Sequence, residues 1–350
     1  MKMSNLLRAG VAALAITTAI GVTQARADTT QLVESGSSLL YPLFNLWVPA
    51  YAAQHPNVAI TTTSTGSGAG IAQSIKGLIN IGASDAYLSD ALSKDHPNML
   101  SIPLAISSQS INYNLPGVTG LKLSGPILAG IYEGKITKWN DPAIVAANPG
   151  VTLPDHQIIP IHRLDGAGDT FIFSQYLSAS DPEWSNTYHY STSISWPAVS
   201  GALGAKGNSG MLAALKANPY AIAYIGISYA DAVAKAGLGQ AALLNKAGNY
   251  VLPTAATIST AAQAVENKIP TDERISMVFA PGDQAYPIVN YEYAIINSSQ
   301  PDQATAAALR DFLGWALTIG NSESFLNQVH FISLPANVVA LSKAQIEKIK

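Results

Sequence analysis

The chain predicts an α/β fold built as two lobes, on three observations. Short strand-like runs alternate with helical patterns along its length. Charged residues are sparse while Gly and Pro are frequent. At 350 residues the chain is long for one compact core.

The strand signals come first. Val58-Ala59-Ile60-Thr61-Thr62-Thr63, Met99 to Ile106, Ile158-Ile159-Pro160-Ile161 and Ile288-Val289-Asn290-Tyr291 are short, apolar or β-branched runs. Helical faces lie between them. Leu43, Leu46, Trp47 and Tyr51 share one face, as do Ile71, Ile75 and Leu78, and Ala304 to Leu317 is a further amphipathic segment. Pro49 falls inside the first of these and is expected to kink or shorten it. No internal repeat, heptad or low-complexity tract breaks the alternation.

The N-terminal segment has the pattern of a cleaved export signal. Lys2 and Arg8 precede an apolar stretch from Ala9 to Val22, and Ala25-Arg26-Ala27 offers small residues at the positions a signal peptidase reads. The stretch is shorter than the roughly 20 residues of a spanning helix. Residues 1–27 are therefore expected to be removed, leaving Asp28 first and placing the protein in the periplasm.

Composition excludes several functions. There is no cysteine, hence no disulfide, thiolate metal site or Cys nucleophile. The formal charge of −3 becomes more negative once Lys2, Arg8 and Arg26 are lost, and no Lys/Arg cluster appears, which argues against nucleic acid. An anion would have to be held by local dipoles against the global field.

Three segments share a design suited to that task. Ser35-Gly36-Ser37-Ser38, Thr65-Gly66-Ser67-Gly68-Ala69-Gly70 and Asp165-Gly166-Ala167-Gly168-Asp169-Thr170 are small-residue turns, each opening a helical pattern. A helix start has free N–H groups and partial positive charge; glycine lets a ligand approach and serine adds donors. Each turn read singly is equally a helix cap, and Gly207-Asn208-Ser209-Gly210 has the same look. Gly82-Ala83-Ser84-Asp85-Ala86 sets one carboxylate among small residues. His162-Arg163-Leu164-Asp165 brings an arginine whose fork Asp165 could hold, or else a surface ion pair of small consequence.

These residues resemble the periplasmic phosphate-binding proteins of phosphate ABC importers. The matching pieces are Gly66 to Gly70, Gly82 to Asp90, Ile131 to Ile144, Arg163 to Gly168, Lys206 to Gly210 and Ser333-Leu334-Pro335, in the family's order and spread over nearly the whole chain. The resemblance implies a class II periplasmic binding protein, with lobe 1 at 28–107 plus 289–350, lobe 2 at 108–288, and two hinge strands between them. It implies inorganic phosphate as ligand, the permease subunits of an inner-membrane ABC importer as partner, a monomer, and neither catalysis, cofactor nor metal. Ser37, Ser38, Leu39 and Ser67 would contact phosphate by hydroxyl or backbone N–H. Asp85 would accept the proton of a protonated phosphate, and Arg163 would be the basic side chain on the ligand, supported by Asp165. Ala167, Gly168, Asp169 and Thr170 would line the other side. Ala167 and Asp169 stand where many members carry hydroxyls, so two donors are lost and a carboxylate is added, with Thr170 able to supply one donor.

Two other functions compete. A phosphatase-like hydrolase has weak support: the six histidines form no His-x-His or His-Glu-x-x-His pair, Gly66-Ser67-Gly68 lacks an evident base, and His162 reads as a supporting or surface residue. A receptor for another oxyanion is the third class. Asp85 speaks against sulfate, which has no proton to give an acceptor-only carboxylate.

Overall fold

The computed structural model describes residues 29–350, so the expected leader 1–27 and Asp28 lie outside it. Twelve strands run as β1 (Thr30–Gly36), β2 (Val58–Ser64), β3 (Ile81–Ser84), β4 (Met99–Tyr113), β5 (Lys122–Leu123), β6 (Ile159–Arg163), β7 (Leu203–Ala205), β8 (Ala221–Gly226), β9 (Gly239–Gln240), β10 (Ala242–Leu244), β11 (Tyr250–Val251) and β12 (Val289–Asn297). Helices alternate with them, as expected of an α/β chain.

Nine strands form one sheet in the order β2-β1-β3-β12-β4-β8-β6-β7, with β9 also on β4; β11-β10-β5 make a small second sheet. β1 runs parallel to β2 and β3, and β6 runs parallel to β7 and β8. β12 and β4 are antiparallel to their neighbours and join the two parallel groups. β4 belongs to both. Met99 to Ser108 pairs with β12, and Gln109 to Tyr113 pairs with β8, without interruption of the strand. The Gln109 N–H donates to Ile288 O at 3.1 Å, just before β12 begins, so both connections between the halves meet there. All 15 residues of β4 are buried, as expected for a strand covered on both faces.

Helices Tyr41–Ala52 and Gln303–Ala316 cover one half of the sheet through Phe44, Trp47, Tyr51, Phe312 and Trp315. Edge-to-face pairs among them include Tyr51 on Phe312 at 5.1 Å. Under the other half Tyr132, Phe173, Trp196 and Tyr224 pack together, Phe173 stacking on Tyr224 at 4.5 Å. Among the described residues no helix is long and apolar enough to cross a membrane.

Pro49 lies inside its helix, which ends shortly after it at Ala52. Its missing N–H removes a single intrahelical bond near the end of the element, and the final turn survives. Leu78 is not on the face of Ile71 and Ile75. That helix stops at Ile75, Gly77 turns the chain with a φ of 66°, and Leu78 is 68% exposed.

Candidate anion site

Parallel strands send their carboxyl ends to one edge, and in open α/β sheets that edge is where ligands bind. The turns after β1, β2, β6 and β7 lie at such ends and lead into helices Tyr41–Ala52, Ser67–Ile75, Gly168–Ser180 and Gly207–Ala217. Side chains from all four turns meet, with Asp85 after β3 among them.

Asp85 is the centre of the first half. Ser37 Oγ donates to Asp85 Oδ1, and Ser67 Oγ donates to Oδ2 at 3.3 Å. Ser37 is itself fixed, because its Oγ accepts from the N–H groups of Leu39 at 3.0 Å and Leu40 at 2.9 Å. Burial first, and then the charge of Asp169, push the Asp85 carboxyl up to about 7. That places it near balance between accepting and carrying a proton.

Arg163 is the centre of the second half. Its Nε donates to Asp165 Oδ1 at 2.8 Å, one terminal nitrogen donates to Asp165 Oδ2, and the other to Asp169 Oδ2. Its backbone N–H donates to Tyr224 OH at 2.9 Å. Burial works against the guanidinium charge, but the hydrogen bonds and charges of Asp165 and Asp169 outweigh it, and the pKa of Arg163 is raised. Asp165 is lowered: burial opposes its charge, and the bond to Arg163 prevails.

Asp169 lies in the first turn of its helix but does not point to water. It is 1% exposed, and its carboxylate accepts from Arg163, from Gln109 Nε2 at 3.1 Å and from Asn208 Nδ2 at 2.9 Å. Burial nevertheless raises its pKa against the pull of Arg163 and the two amides.

The two halves touch directly here. The Gly68 N–H donates to Gly166 O at 2.9 Å. A Cβ on Gly168 would stand 2.4 Å from Asp85 Oδ2 and 2.6 Å from Ser67 Oγ, so only glycine permits that approach. Leu39 is fully buried against Gly226, where a Cβ would meet its side chain at 2.4 Å. Ala167 is buried at the cap of helix Gly168–Ser180. Thr170 shares a hydrogen bond of 2.9 Å with Tyr224 OH. The ten ligand residues expected from the sequence are thus brought together at one buried edge.

A cavity of about 330 Å³ opens beside Gly68, between Ile71, Tyr87, Phe171 and Tyr190. None of the residues lining it is charged, and neither Asp85 nor Arg163 lines it. His162 is half-buried and stacks on Trp196 at 5.0 Å. Among the described residues no group of three His, Cys, Asp or Glu could hold a metal ion.

Comparison with known proteins decides the family. The PBP superfamily domain matches residues 22–318. The phosphate-binding protein PstS of Xylella fastidiosa strain 9a5c is 36% identical over 307 residues, covering 87% of this chain and 82% of that protein. This chain belongs to the PstS family of phosphate-binding proteins. The relative from Pasteurella multocida is 34% identical over 340 residues, covering 97% and 95%. A high-affinity periplasmic phosphate-binding protein (PfluDING), solved with bound phosphate, shares the fold. Its TM-score is 0.72 at 21% identity, over 90% of this chain and 93% of that one.

Several residues of this PstS-family site were missed in the sequence. Asn208, in the fourth small-residue turn, donates to Ser38 Oγ from both its N–H and its Nδ2, each at 3.0 Å, and accepts from the Gly226 N–H at 2.8 Å. Its place in the fourth Gly/Ser turn was the available signal. Gln109 and Glu292 come from the interiors of β4 and β12, and nothing local marks them. Glu292 is fully buried next to Asp85; Ser107 Oγ and Asn290 Nδ2 donate to its Oε1.

Proposed function

We propose that this protein captures inorganic phosphate in the periplasm and presents it to the permease subunits of an ABC-type importer. The observation that carries this is Arg163, which among the described residues is the one buried basic side chain. It is set among four helix starts and faces a site with a proton acceptor, Asp85. On binding, unprotonated phosphate oxygens take the spare guanidinium donors, the N–H groups of residues 168–170 and the hydroxyl of Ser38, and draw the Leu39 N–H away from Ser37 and the Ser67 hydroxyl away from Asp85. The phosphate hydroxyl donates to Asp85. Sulfate has no such proton, and Asp85 repels it.

The lobes are 28–107 with 289–350, and 108–288. Ser37, Ser38, Ser67 and Asp85 belong to the first, and Arg163 to Thr170 to the second. Phosphate bridges them and favours the closed form, which is the form the importer reads. The receptor works as a monomer, released by cleavage after Ala27.

Calorimetry with phosphate and with sulfate tests the reading. Phosphate should bind and raise the thermal midpoint, since a ligand at about 100 times its Kd adds roughly 2.7 kcal/mol to the native state. Sulfate should do neither. Equal responses to both anions would remove the argument from Asp85.

A further inference from the structure

Glu292 is a buried acid that phosphate capture as described leaves unused. β12 pairs antiparallel with β3, Tyr293 opposite Ser84. Continuing that register by one residue sets Glu292 opposite Asp85, the distance at which cross-strand side chains meet. Their carboxyl groups are within hydrogen-bonding reach of each other. Asn290 Nδ2 fastens the pair, donating to Asp85 O at 3.3 Å and to Glu292 Oε1 at 3.0 Å.

The donors around the two acids are unequal. Asp85 receives hydroxyls from Ser37 and Ser67. Glu292 receives Ser107 and Asn290 on Oε1 only; its Oε2 is buried with no partner. Among the described residues no cation touches Glu292. Asp85 faces it from the end of β3, and the neutral Ser107 faces it from β4. Arg163 and Asp169 lie beyond Asp85 and act on that carboxylate. Two buried carboxylates in contact cannot both stay ionised.

We infer that Glu292 carries a proton, donates it from Oε2 to Asp85, and so acts as a positioning residue that keeps Asp85 an ionised acceptor for the ligand's P–OH. One proton satisfies the orphaned Oε2, removes the like-charge contact and leaves Asp85 with a free lone pair. Burial, and then the charge of Asp85, raise the Glu292 pKa well above the ordinary range. The proton therefore stays in place at neutral pH.

Its role in ligand capture rests on the phosphate reading; the proton itself does not, and the two are tested separately. Infrared difference spectra of the unliganded protein at pH 7, wild type minus Glu292→Gln, should show loss of a protonated-carboxyl band. The other buried acids, Glu34, Asp85, Asp169 and Glu273, are present in both proteins, and those away from Glu292 cancel. Loss of a carboxylate band instead would show Glu292 ionised and overturn the inference. In calorimetry, Glu292→Ala should weaken phosphate about tenfold, the loss of a hydrogen bond to a charged group. Glu292→Gln still donates and should recover most of that loss. If phosphate binds normally to wild type and Glu292→Ala matches it, the positioning role is wrong while the phosphate reading stands.

Discussion

Asn208 donates twice to the Ser38 hydroxyl oxygen, once from its backbone and once from its side chain, each at 3.0 Å. The bond pair runs from the turn after β7 to the turn after β1, from one parallel strand group to the other. The same side chain donates to Asp169 and accepts from Gly226. It therefore links the two halves and orients an acid of the site. Asn208→Ala removes three buried side-chain hydrogen bonds and leaves the Gly226 N–H without its acceptor, a loss worth on the order of 1–3 kcal/mol. Phosphate affinity should fall at least about tenfold, and small-angle scattering with saturating phosphate should show a less compact particle than wild type. Matching affinity and scattering would reduce Asn208 to a helix-end residue.

Arg163→Ala removes the basic partner of phosphate and strands Asp165 and Asp169. Losing one side of a buried charged pair costs on the order of 2–5 kcal/mol. Phosphate binding should weaken well over tenfold by calorimetry, with the far-UV spectrum unchanged. Wild-type affinity would move the anion elsewhere.

Asp169 gives a pH dependence with a definite sign. Its pKa is raised by burial, so the folded site holds its proton to higher pH than the unfolded chain does, and the neutral form is lost as pH rises. As a second acceptor beside Asp85, the Asp169 carboxylate calls for a second ligand proton and repels a phosphate that lacks one. Dihydrogen phosphate also supplies a second proton that the monohydrogen form lacks. Affinity should therefore fall from about pH 6 to about pH 8.5, where the phosphate proton with a pKa near neutrality is lost. Asp169→Thr should flatten the curve. Coincident curves of Kd against pH would assign Asp169 a purely structural role with Arg163, Gln109 and Asn208.

Export is tested by mass. Protein recovered from the periplasm should lack residues 1–27 and begin at Asp28. A mature mass that retains Leu14 to Val22 would exclude cleavage at Ala27.

Local chemistry was legible in the sequence; long-range register was not. The Gly/Ser turns, Asp85 and the Arg163–Asp165 pair announce themselves because a helix start, a small-residue turn and an ion pair two residues apart are written in consecutive letters. The alternation of strands and helices was readable for the same reason. The strand order was not. β12 enters between β3 and β4 from almost two hundred residues away in sequence, as no periodicity reveals. Glu292 and Gln109 are informative only once that order is known. Alone, each is a polar letter in an apolar run.

The unbroken passage of β4 from one half of the sheet to the other has a mechanical consequence. Slack linkers would let the two strand groups move freely; here they share one strand, and any relative movement would have to twist it around Ser108 and Gln109. Gln109 is fastened at that fulcrum by its N–H to Ile288, and its side-chain amide grips Asp169 at the seat. One residue thus ties the junction of the two strand groups to the Asp169 carboxylate, with no loop between the two contacts.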